Sequence, residues 1–231
     1  MDYDRDLAVP CRALGDPARA RMIAHLASGL RAPASELARV AGVAPSTASE
    51  HLRVLSEAGL VAAERAGRHR YYAITTGDVA RAIEALQAIA PGIPVRSLKQ
   101  DRIGEALRTG RTCYDHLAGD LGLRVTDLLV REGVLAPLRV GEPAEPADPL
   151  PRSETVRSWL LTEIHARTRP WARGCLDWSG RRPHVAGAIG AHLLGLFERE
   201  GWIVRRTGTR AVRLTGSGSH MLHALEESVT S

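Results

Sequence analysis

The chain lacks the features that mark membrane and secreted proteins. No apolar run reaches the roughly 18 residues that a membrane-spanning helix needs. The N-terminal stretch MDYDRDLAVP is acidic where a secretory leader would be basic and then apolar, so we expect a cytoplasmic protein without a membrane partner. The three cysteines, Cys11, Cys113 and Cys175, are odd in number and widely spaced, which argues against a disulfide framework.

Lysine is almost absent, because Lys99 is the only one in 231 residues. Arginine therefore carries nearly all of the positive charge, and the net charge is +5. A basic chain suits a phosphate-rich partner, although an arginine bias can also follow from the coding composition of a genome. Hydrophobic residues make up 44% of the chain, which is enough to bury the cores of two small domains.

Residues 35–72 have the pattern of a DNA-reading unit. A first helix is predicted to open at Ser35, a favoured N-cap residue, and a second at Pro45, which suits the first helical position. Gly42 supplies the permissive backbone of the sharp turn between them. The side chains predicted to be buried in this helix pair are Leu37, Ala38, Ala41, Ala48, Leu52 and Leu55.

A β-hairpin is predicted directly after the second helix. Gly59 ends the helix, Leu60-Val61 begins a strand, and a turn at Ala66-Gly67 folds the chain back onto residues 70–74. A helix-turn-helix followed by such a hairpin has the architecture of a winged helix. The hairpin is also basic, and following a recognition helix this charge favours contact with DNA over a merely solvated turn.

The quoted pieces, in this order, resemble a known family. LGDPARARMIAHL, SELARVAGVAPSTASEHLRVLSEAGLV and GRHRYY, between Leu14 and Tyr72, are similar to the winged helix-turn-helix of the ArsR family of bacterial transcription regulators. The resemblance implies a regulator that binds double-stranded DNA. It also implies a homodimer in which the first and last helices of the domain pack on their counterparts in a second copy.

The start of the second helix and the wing supply the expected DNA contacts. Hydroxyl groups there can bond base edges and phosphates, and a helix N-terminus itself favours phosphate. The expected contacts are Pro45, Ser46, Thr47, Ser49, Glu50, His51 and Arg53 from the helix, and Arg65, Arg68, His69 and Arg70 from the wing. His51 has an alternative, structural role as a bridge between helix and wing.

Further helices are predicted on both sides of this unit. Two precede it, at residues 2–9 and 13–27, and Asp16-Pro17 is the start signal of the second. One follows the wing, with Val79, Ile83, Leu86 and Ile89 on one apolar face. This face is expected to form a dimer interface; the alternative is burial against the second half of the chain. We therefore predict a DNA-binding and dimerisation domain at residues 1–96 and a second domain at 97–231.

The second half contains a weaker internal echo of the first. Residues 192–215 repeat the order of an apolar helix, a glycine stop, a strand, a glycine turn and a returning strand, and residues 115–135 form a partial copy. The predicted fold class is therefore α+β, mainly helical, with a winged-helix-like C-terminal domain. The predicted helix at residues 186–191 has no polar side chain for base edges, so this domain is not expected to read DNA.

The second half also holds the residues predicted to sense a signal. These are Cys113, His116, Cys175, Trp178 and His184. Arg111 and Arg173 each lie two residues before a cysteine, where a cation would lower the thiol pKa and favour a redox response; the alternative is that both cysteines are small buried apolar residues.

A metal site is the less favoured interpretation. The thiolate and zinc sites known in the family have no counterpart, because residues 37–40 contain no cysteine and residues 78–90 offer only Asp78 and Glu84. A new site formed by Cys113, His116, Cys175 and His184 would have suitable ligand types for zinc, but no CxxC or HxxxH spacing supports it. We therefore expect neither a metal nor a cofactor.

A small organic effector is the other possibility. All four tryptophans, at positions 159, 171, 178 and 202, lie in the second half. They could line an apolar pocket with Arg181, Arg182 or His184 as polar contacts, or simply fill the core.

The preferred interpretation is a repressor that a thiol-reactive signal or a small organic ligand releases from DNA. The alternatives are an architectural protein that coats DNA without sequence preference and a metal-responsive repressor with a non-standard site. No clustered catalytic groups are evident, so we expect no enzymatic activity.

Overall fold

A computed structural model of the chain describes residues 5–27, 31–66, 69–92, 98–146, 153–160, 164, 169–207 and 209–228. The chain forms two compact units, Met1–Leu86 and Gln87–Ser231. The predicted division between residues 96 and 97 lies beyond this boundary and stays a prediction. Both units combine helices with small antiparallel sheets, which confirms the predicted α+β class. No helix within the described ranges is long and apolar enough to cross a membrane.

The N-terminal unit is a winged helix. Its helices are α1 (Ala8–Leu14), α2 (Pro17–Leu26), α3 (Ala34–Ala41), α4 (Pro45–Glu57) and α5 (Gly77–Ile89). Its strands, β1 (Ala32–Pro33), β2 (Val61–Ala66) and β3 (His69–Ile74), form an antiparallel sheet in the order β1-β3-β2. The β2–β3 hairpin is the predicted wing.

The helix-turn-helix forms as predicted except at its start: the predicted N-cap role of Ser35 is wrong, because α3 begins at Ala34 with Pro33 as its N-cap residue. All six side chains expected in its core are buried, three on α3 and three on α4. Gly42 ends α3 with φ +70°, a left-handed conformation that glycine adopts without steric cost. Its freedom sets the sharp turn that directs α4 away from α3.

The helices before this pair differ from the prediction in their limits. Asp16 caps α2 as expected, because its carboxylate accepts hydrogen bonds from the N–H groups of Ala18 and Arg19 at 2.8 and 3.0 Å. The predicted helix at residues 2–9 is wrong, since α1 begins at Ala8, whose N–H bonds Asp6 at 2.9 Å. An Asp side chain that accepts a hydrogen bond from the N–H two residues further on favours a turn over a helix at that point. Residues 1–4 lie outside the described part.

The C-terminal unit builds its core around two central helices. The helices are α6 (Leu98–Thr109), α7 (Gly119–Arg131), α8 (Glu154–Leu160), α9 (Gly187–Arg199) and α10 (Gly216–Ser228). The strands are β4 (Arg111–Cys113), β5 (His116–Ala118), β6 (Pro143–Ala144), β7 (Ala172–Leu176), β8 (Pro183–Ala186), β9 (Ile203–Arg205) and β10 (Val212–Leu214). Helices α7 and α9 supply much of the buried apolar cluster, including Leu128, Leu129, Ile189 and Phe197.

The strands of this unit are arranged in three antiparallel groups. They pair as β4-β5, β6-β7-β8 and β9-β10. The order α9, glycine stop, β9, turn and β10 matches the echo predicted for residues 192–215. The β6-β7-β8 sheet has no counterpart in the sequence prediction.

Two segments of the C-terminal unit share one local sequence and one local structure. His116-Leu117-Ala118-Gly119 joins β5 to α7, and His184-Val185-Ala186-Gly187 joins β8 to α9. Both helices have 13 residues, and both begin at a glycine of positive φ, +73° and +86° respectively. Each helix also packs on the strand of the other segment, α7 on β8 and α9 on β5. The unit therefore contains an internal structural repeat.

Gly119 has a steric role that can be separated from its backbone conformation. A Cβ at Gly119 would lie 2.5 Å from the carbonyl oxygen of Arg108, whereas Gly133 has nearly the same φ, +74°, with nothing within 4 Å. We expect Gly133→Ala to lower the free energy of unfolding by about 1–2 kcal/mol through backbone strain. Gly119→Ala should lower the free energy of unfolding by a further ~1–3 kcal/mol, because the carbonyl group of Arg108 must move to make room for the new Cβ.

Urea unfolding followed by tryptophan fluorescence measures this difference, because every tryptophan lies in the C-terminal unit. Equal losses for the two variants would contradict the steric role of Gly119.

Candidate DNA-binding interface and buried cysteine-histidine cluster

Helix α4 presents a polar face to solvent. Ser46, Thr47 and Ser49 are exposed, while the apolar stripe of the helix is buried. The N-cap residue, Ala44, makes no side-chain hydrogen bond to the first turn. Because the first N–H groups of a helix have no acceptor within it, this end of α4 offers both N–H groups and hydroxyls to a phosphate or a base edge. The arrangement is that of a recognition helix.

Arg53 lies on the same face but is held by its own helix. Its Nε is 3.0 Å from Oε2 of Glu50, and its guanidinium also contacts Glu57. All three side chains are more than half exposed, so the ion pairs are weak and can exchange for a phosphate. The predicted contact of Arg53 with the groove requires that exchange.

His51 connects the recognition helix to α2. Its side chain is only 16% exposed; Nδ1 is 3.4 Å from Nη1 of Arg19, and Nε2 is 3.8 Å from Oδ1 of Asp16. The structural alternative predicted a bridge to the wing, but the described partners lie at the start of α2 instead. Position 51 sits at the edge of the buried stripe of α4, on the side that contacts α2.

The wing carries positive charge that its own residues do not neutralise. Arg65 and Arg70 are exposed and lie directly opposite each other in the β2–β3 register. Glu64, the nearby acid, is paired with Arg31. Like charges opposite each other destabilise a hairpin, so a phosphate near this pair would be favourable. Among the described residues neither arginine has a carboxylate partner.

Two predicted wing contacts cannot be placed. Arg68 lies outside the described residues, and only the backbone of His69 is described, as the first residue of β3. Their contacts with DNA stay predictions. The described residues of the predicted interface, apart from His51, are all exposed.

Four of the side chains predicted to sense a signal lie together inside the C-terminal unit. Cys113 and His116 face each other across the β4–β5 hairpin, and Cys175 and His184 face each other across β7–β8. One donor atom from each of these four residues lies within 4.8 Å of the other three. We call this group the Cys-His cluster. Spacing along the chain did not indicate it, because each ligand pair is formed across a hairpin and the hairpins differ in length.

Distances within the cluster are short but not covalent. The Sγ atoms of Cys113 and Cys175 are 3.8 Å apart, far beyond the roughly 2.05 Å of a disulfide. The Nε2 atoms of His116 and His184 are 3.1 Å apart. Cys175 is partly buried and the other three members are buried. Both imidazoles therefore direct Nε2 toward the same point as the sulfurs.

A carboxylate lies behind each imidazole. Nδ1 of His116 is 3.2 Å from Oδ1 of Asp115, which also pairs with Arg169. Nδ1 of His184 is 3.6 Å from Oδ2 of Asp177 and has no hydrogen-bond partner among the described residues. The two histidines thus have equivalent surroundings, with Nε2 toward the centre and a carboxylate on the far side.

Asp177 is fully buried and joins the two hairpins. Its Oδ2 accepts hydrogen bonds from Nη2 of Arg111 at 2.8 Å and from the N–H of Gly119 at 2.7 Å. Its Oδ1 accepts from the N–H groups of Ser179 and Gly180, each at 2.9 Å. Burial by itself raises the pKa of Asp177, but the charge of Arg111 and these hydrogen bonds more than offset it and hold the pKa well below its usual range.

The electrostatics of the thiols differ from the prediction. Hydrogen bonding to Cys113, and then to both imidazoles, holds the pKa of Cys175 well below its ordinary value. Arg111 instead binds Asp177, and Nε of Arg173 donates to the carbonyl oxygen of Gly141 at 2.9 Å. The predicted cationic neighbours are therefore wrong, because the two arginines direct their guanidinium groups elsewhere. Burial lowers the pKa of His184 and favours its neutral form.

The described tryptophan rings have separate roles. Trp171 and Trp202 pack against the core, and Trp202 meets Phe197 edge-on at 5.2 Å. Trp178 stacks on the guanidinium of Arg111 at 4.2 Å. The side chain of Trp159 lies outside the described part. These contacts favour the core alternative over a shared aromatic pocket.

Sequence reasoning missed Arg111 and Asp177 as a pair, and the carboxylates behind the histidines. The sequence did contain a signal that relates the two histidines to each other. The pattern His-x-Ala-Gly-x-x-Gly occurs at residues 116–122 and again at 184–190, and both helices end in Arg-Glu-Gly. Comparing the second half with itself would have aligned His116 with His184.

Comparisons with known proteins agree with the N-terminal unit. A family model described as a helix-turn-helix domain matches residues 14–63. The HTH-type transcriptional regulator CmtR of Mycobacterium bovis is 40% identical over 75 residues, which are 32% of this chain and 63% of that protein. The solution structure of a homodimeric winged helix-turn-helix domain from Mycobacterium bovis, a possible ArsR-family regulator, is 31% identical and covers 38% of this chain and 89% of that one, with a TM-score of 0.34.

One relative matches over both units. It is the uncharacterized HTH-type transcriptional regulator YdfF of Bacillus subtilis (strain 168), 42% identical over 207 residues, which are 89% of this chain and 90% of that protein. The similarity therefore includes the C-terminal unit as well as the winged helix. The chain belongs to the ArsR family of helix-turn-helix transcription regulators, and it is a DNA-binding regulator.

Proposed function

We propose that the protein is a repressor that binds its operator as a homodimer and is released by a signal received in the C-terminal unit. The observation that carries this proposal is the uncapped, hydroxyl-bearing N-terminus of α4, together with the exposed Arg65–Arg70 pair of the wing. Hydroxyl groups at the start of a recognition helix can form hydrogen bonds to base edges, whereas the positive charge of the wing binds the phosphate backbone of DNA. An architectural protein would need only the charge. We also propose that the protein acts as a regulator and not as an enzyme.

Exposed apolar side chains support the dimer. Leu7, just before α1, is 72% exposed, and Leu86 and Ile89 on α5 are 48% and 80% exposed. Leu7 thus adjoins the first helix of the winged helix, and Leu86 and Ile89 lie on the last, which are the two helices that the family resemblance implies pair with a second copy. Ile83, on the same predicted face of α5, is buried in its own chain and is therefore not available.

The signal we favour is thiol-reactive. Its support is the 3.8 Å separation of the Cys113 and Cys175 sulfurs together with the lowered pKa of Cys175, since a thiolate is the reactive form of cysteine. A small organic effector remains the alternative. A cavity of about 980 Å³ lies among α6, α7, β9 and β10, and its described lining includes Arg102, Arg124 and Leu121 but no tryptophan.

Footprinting on the DNA immediately upstream of the protein's own gene tests the central proposal. A short palindromic footprint supports a dimeric repressor. Uniform coverage of the fragment would show an architectural protein instead.

The recognition helix gives the first mutational test. Ser46→Ala combined with Thr47→Ala should remove discrimination between operator and random DNA, at about 1–3 kcal/mol per lost base contact. The fold should be unchanged because both side chains are exposed. Competition gel shifts measure the discrimination. Ser219→Ala, an exposed hydroxyl in the C-terminal unit, is the matched control, and an unchanged discrimination ratio in the double variant would refute the assignment.

The arginines of the wing give the second mutational test. Arg65→Ala and Arg70→Ala should each weaken binding to all sequences alike and reduce the slope of log affinity against log salt by about one. Arg81→Ala removes the same charge from α5, where Arg81 pairs with Asp78, and should leave the slope unchanged. Binding measured over a salt series distinguishes these outcomes. An affinity loss confined to one operator sequence would make the wing arginines base readers.

The thiols of the Cys-His cluster give the third mutational test. An oxidant or an electrophile should release the protein from its operator, and Cys175→Ser should block that release while keeping DNA affinity. Cys11→Ser should respond as the wild type does, because Cys11 is exposed and lies in the other unit. Mass spectrometry at the releasing dose identifies the modified thiols. Release with both cluster thiols unmodified would favour the organic effector.

A further inference from the structure

We infer that the Cys-His cluster binds one Zn²⁺ ion in a tetrahedral site. The cluster lies outside residues 14–63, the part that the helix-turn-helix family model matches. None of its residues belongs to α3 or α5, the helices on which the metal sites of the resembled family occur. The inference goes beyond the proposed function, because metal binding does not depend on whether the protein represses transcription.

The distances between like ligands fit one zinc ion. In a tetrahedron the edge is ~1.6 times the bond length, so Zn–S bonds of about 2.3 Å place two sulfurs ~3.8 Å apart, and Zn–N bonds of about 2.05 Å place two nitrogens ~3.3 Å apart. The observed separations are 3.8 Å for Sγ–Sγ and 3.1 Å for Nε2–Nε2. Both pairs therefore already stand at the spacing of co-ligands, with adjustments of a few tenths of an ångström.

The surroundings of the histidines fit as well. Zinc-bound histidines commonly donate their other ring N–H to a carboxylate, which fixes the tautomer and the ring orientation. Asp115 stands in that position behind His116 at 3.2 Å, and Asp177 behind His184 at 3.6 Å. With a metal on Nε2, the proton of each ring must lie on Nδ1, facing its carboxylate.

Without a metal the same geometry leaves buried polar atoms poorly satisfied. The two Nε2 atoms face each other at 3.1 Å and can share only one proton, and Nδ1 of His184 has no hydrogen-bond partner among the described residues. An unsatisfied buried polar atom destabilises a fold. A cation bound by both Nε2 atoms removes the conflict between the rings. Two thiolates would at the same time balance its charge.

The ligand set selects zinc among common cations. Magnesium and calcium prefer oxygen ligands, whereas two sulfurs and two nitrogens in a tetrahedron are typical of zinc. A two-iron cluster with this ligand set would place the cysteines on one iron and the histidines on the other. Here all four donor atoms lie within 4.8 Å of one another, around a single point.

Metal analysis of the full-length protein tests the inference directly. Purified without chelator, it should contain about one equivalent of zinc per chain. Cys113→Ala should lose the zinc, whereas Cys11→Ser, the matched cysteine control, should retain it. Asp115→Asn changes a half-buried carboxylate behind the site and should weaken zinc affinity about 10–100-fold in chelator competition while the ligands remain.

Cobalt substitution keeps the test decisive where a ligand variant fails to fold. Co²⁺ added to zinc-free protein should give the visible bands of a tetrahedral site and a thiolate-to-cobalt charge-transfer band, and Zn²⁺ should displace it. His116→Cys keeps four ligands, so it should still bind Co²⁺ and should show a stronger charge-transfer band. A merely structural histidine at this position would give no such gain.

The opposing outcomes are equally defined. Metal-free protein with two freely titrating cluster thiols and no cobalt spectrum would overturn the inference in favour of a dithiol site. A Cys113–Cys175 disulfide in protein purified under reducing conditions, or iron in place of zinc, would overturn it as well. Operator binding measured in parallel separates this result from the proposed function, because either can fail while the other holds.

Discussion

The C-terminal unit depends on the buried ion pair between Arg111 and Asp177. Arg111 comes from β4 and Asp177 from the turn that follows β7, so the pair ties the two hairpins together. Both side chains are almost completely buried, and such a pair is stable only when the remaining polar atoms are also satisfied. Ser179, Gly180 and Gly119 supply those hydrogen bonds to the carboxylate. Removing one partner alone would leave an uncompensated buried charge, at a cost of about 3–5 kcal/mol. The Cys-His cluster lies on the same two hairpins, and its geometry therefore follows from this contact.

The N-terminal unit is organised differently, because local signals and apolar packing are sufficient there. Asp16 caps α2 and also lies near His51, so the start of α2 is connected to the side of α4. The buried apolar side chains of α4 pack against the core and thereby determine which of its residues face the solvent. Its exposed hydroxyls are thereby displayed on a helix whose orientation is set by packing rather than by its own polar contacts. Rigid placement of this kind suits recognition, since little conformational entropy remains to be lost on binding.

The sequence was sufficient where short-range physics decides the structure. The 3.6-residue spacing of Leu37, Ala38 and Ala41 predicted the buried face of α3, and Asp16-Pro17 predicted the start of α2. It was insufficient where partners lie far apart along the chain. Arg111 precedes Cys113 by two residues, which suggested an electrostatic effect on the thiol, but its guanidinium instead binds Asp177, which lies 66 residues further along the chain. The sequence singled out all four members of the Cys-His cluster, but it gave no support for their meeting at one site, since spacing rules describe ligands within one hairpin and not those shared by two.

The two copies of the repeat in the C-terminal unit pack on each other reciprocally. Each helix of the repeat packs on the strand of the other copy, and His116 meets His184 atom for equivalent atom. This is the reciprocal pattern of an isologous interface, in which the same patch is used twice about a twofold axis. A polypeptide with one copy would present half of the ligands and half of the core, and it would complete both only by pairing with itself. The present unit thus has the organisation of two copies of one motif paired within a single chain, and the single Arg111–Asp177 ion pair shows that the two copies are not identical.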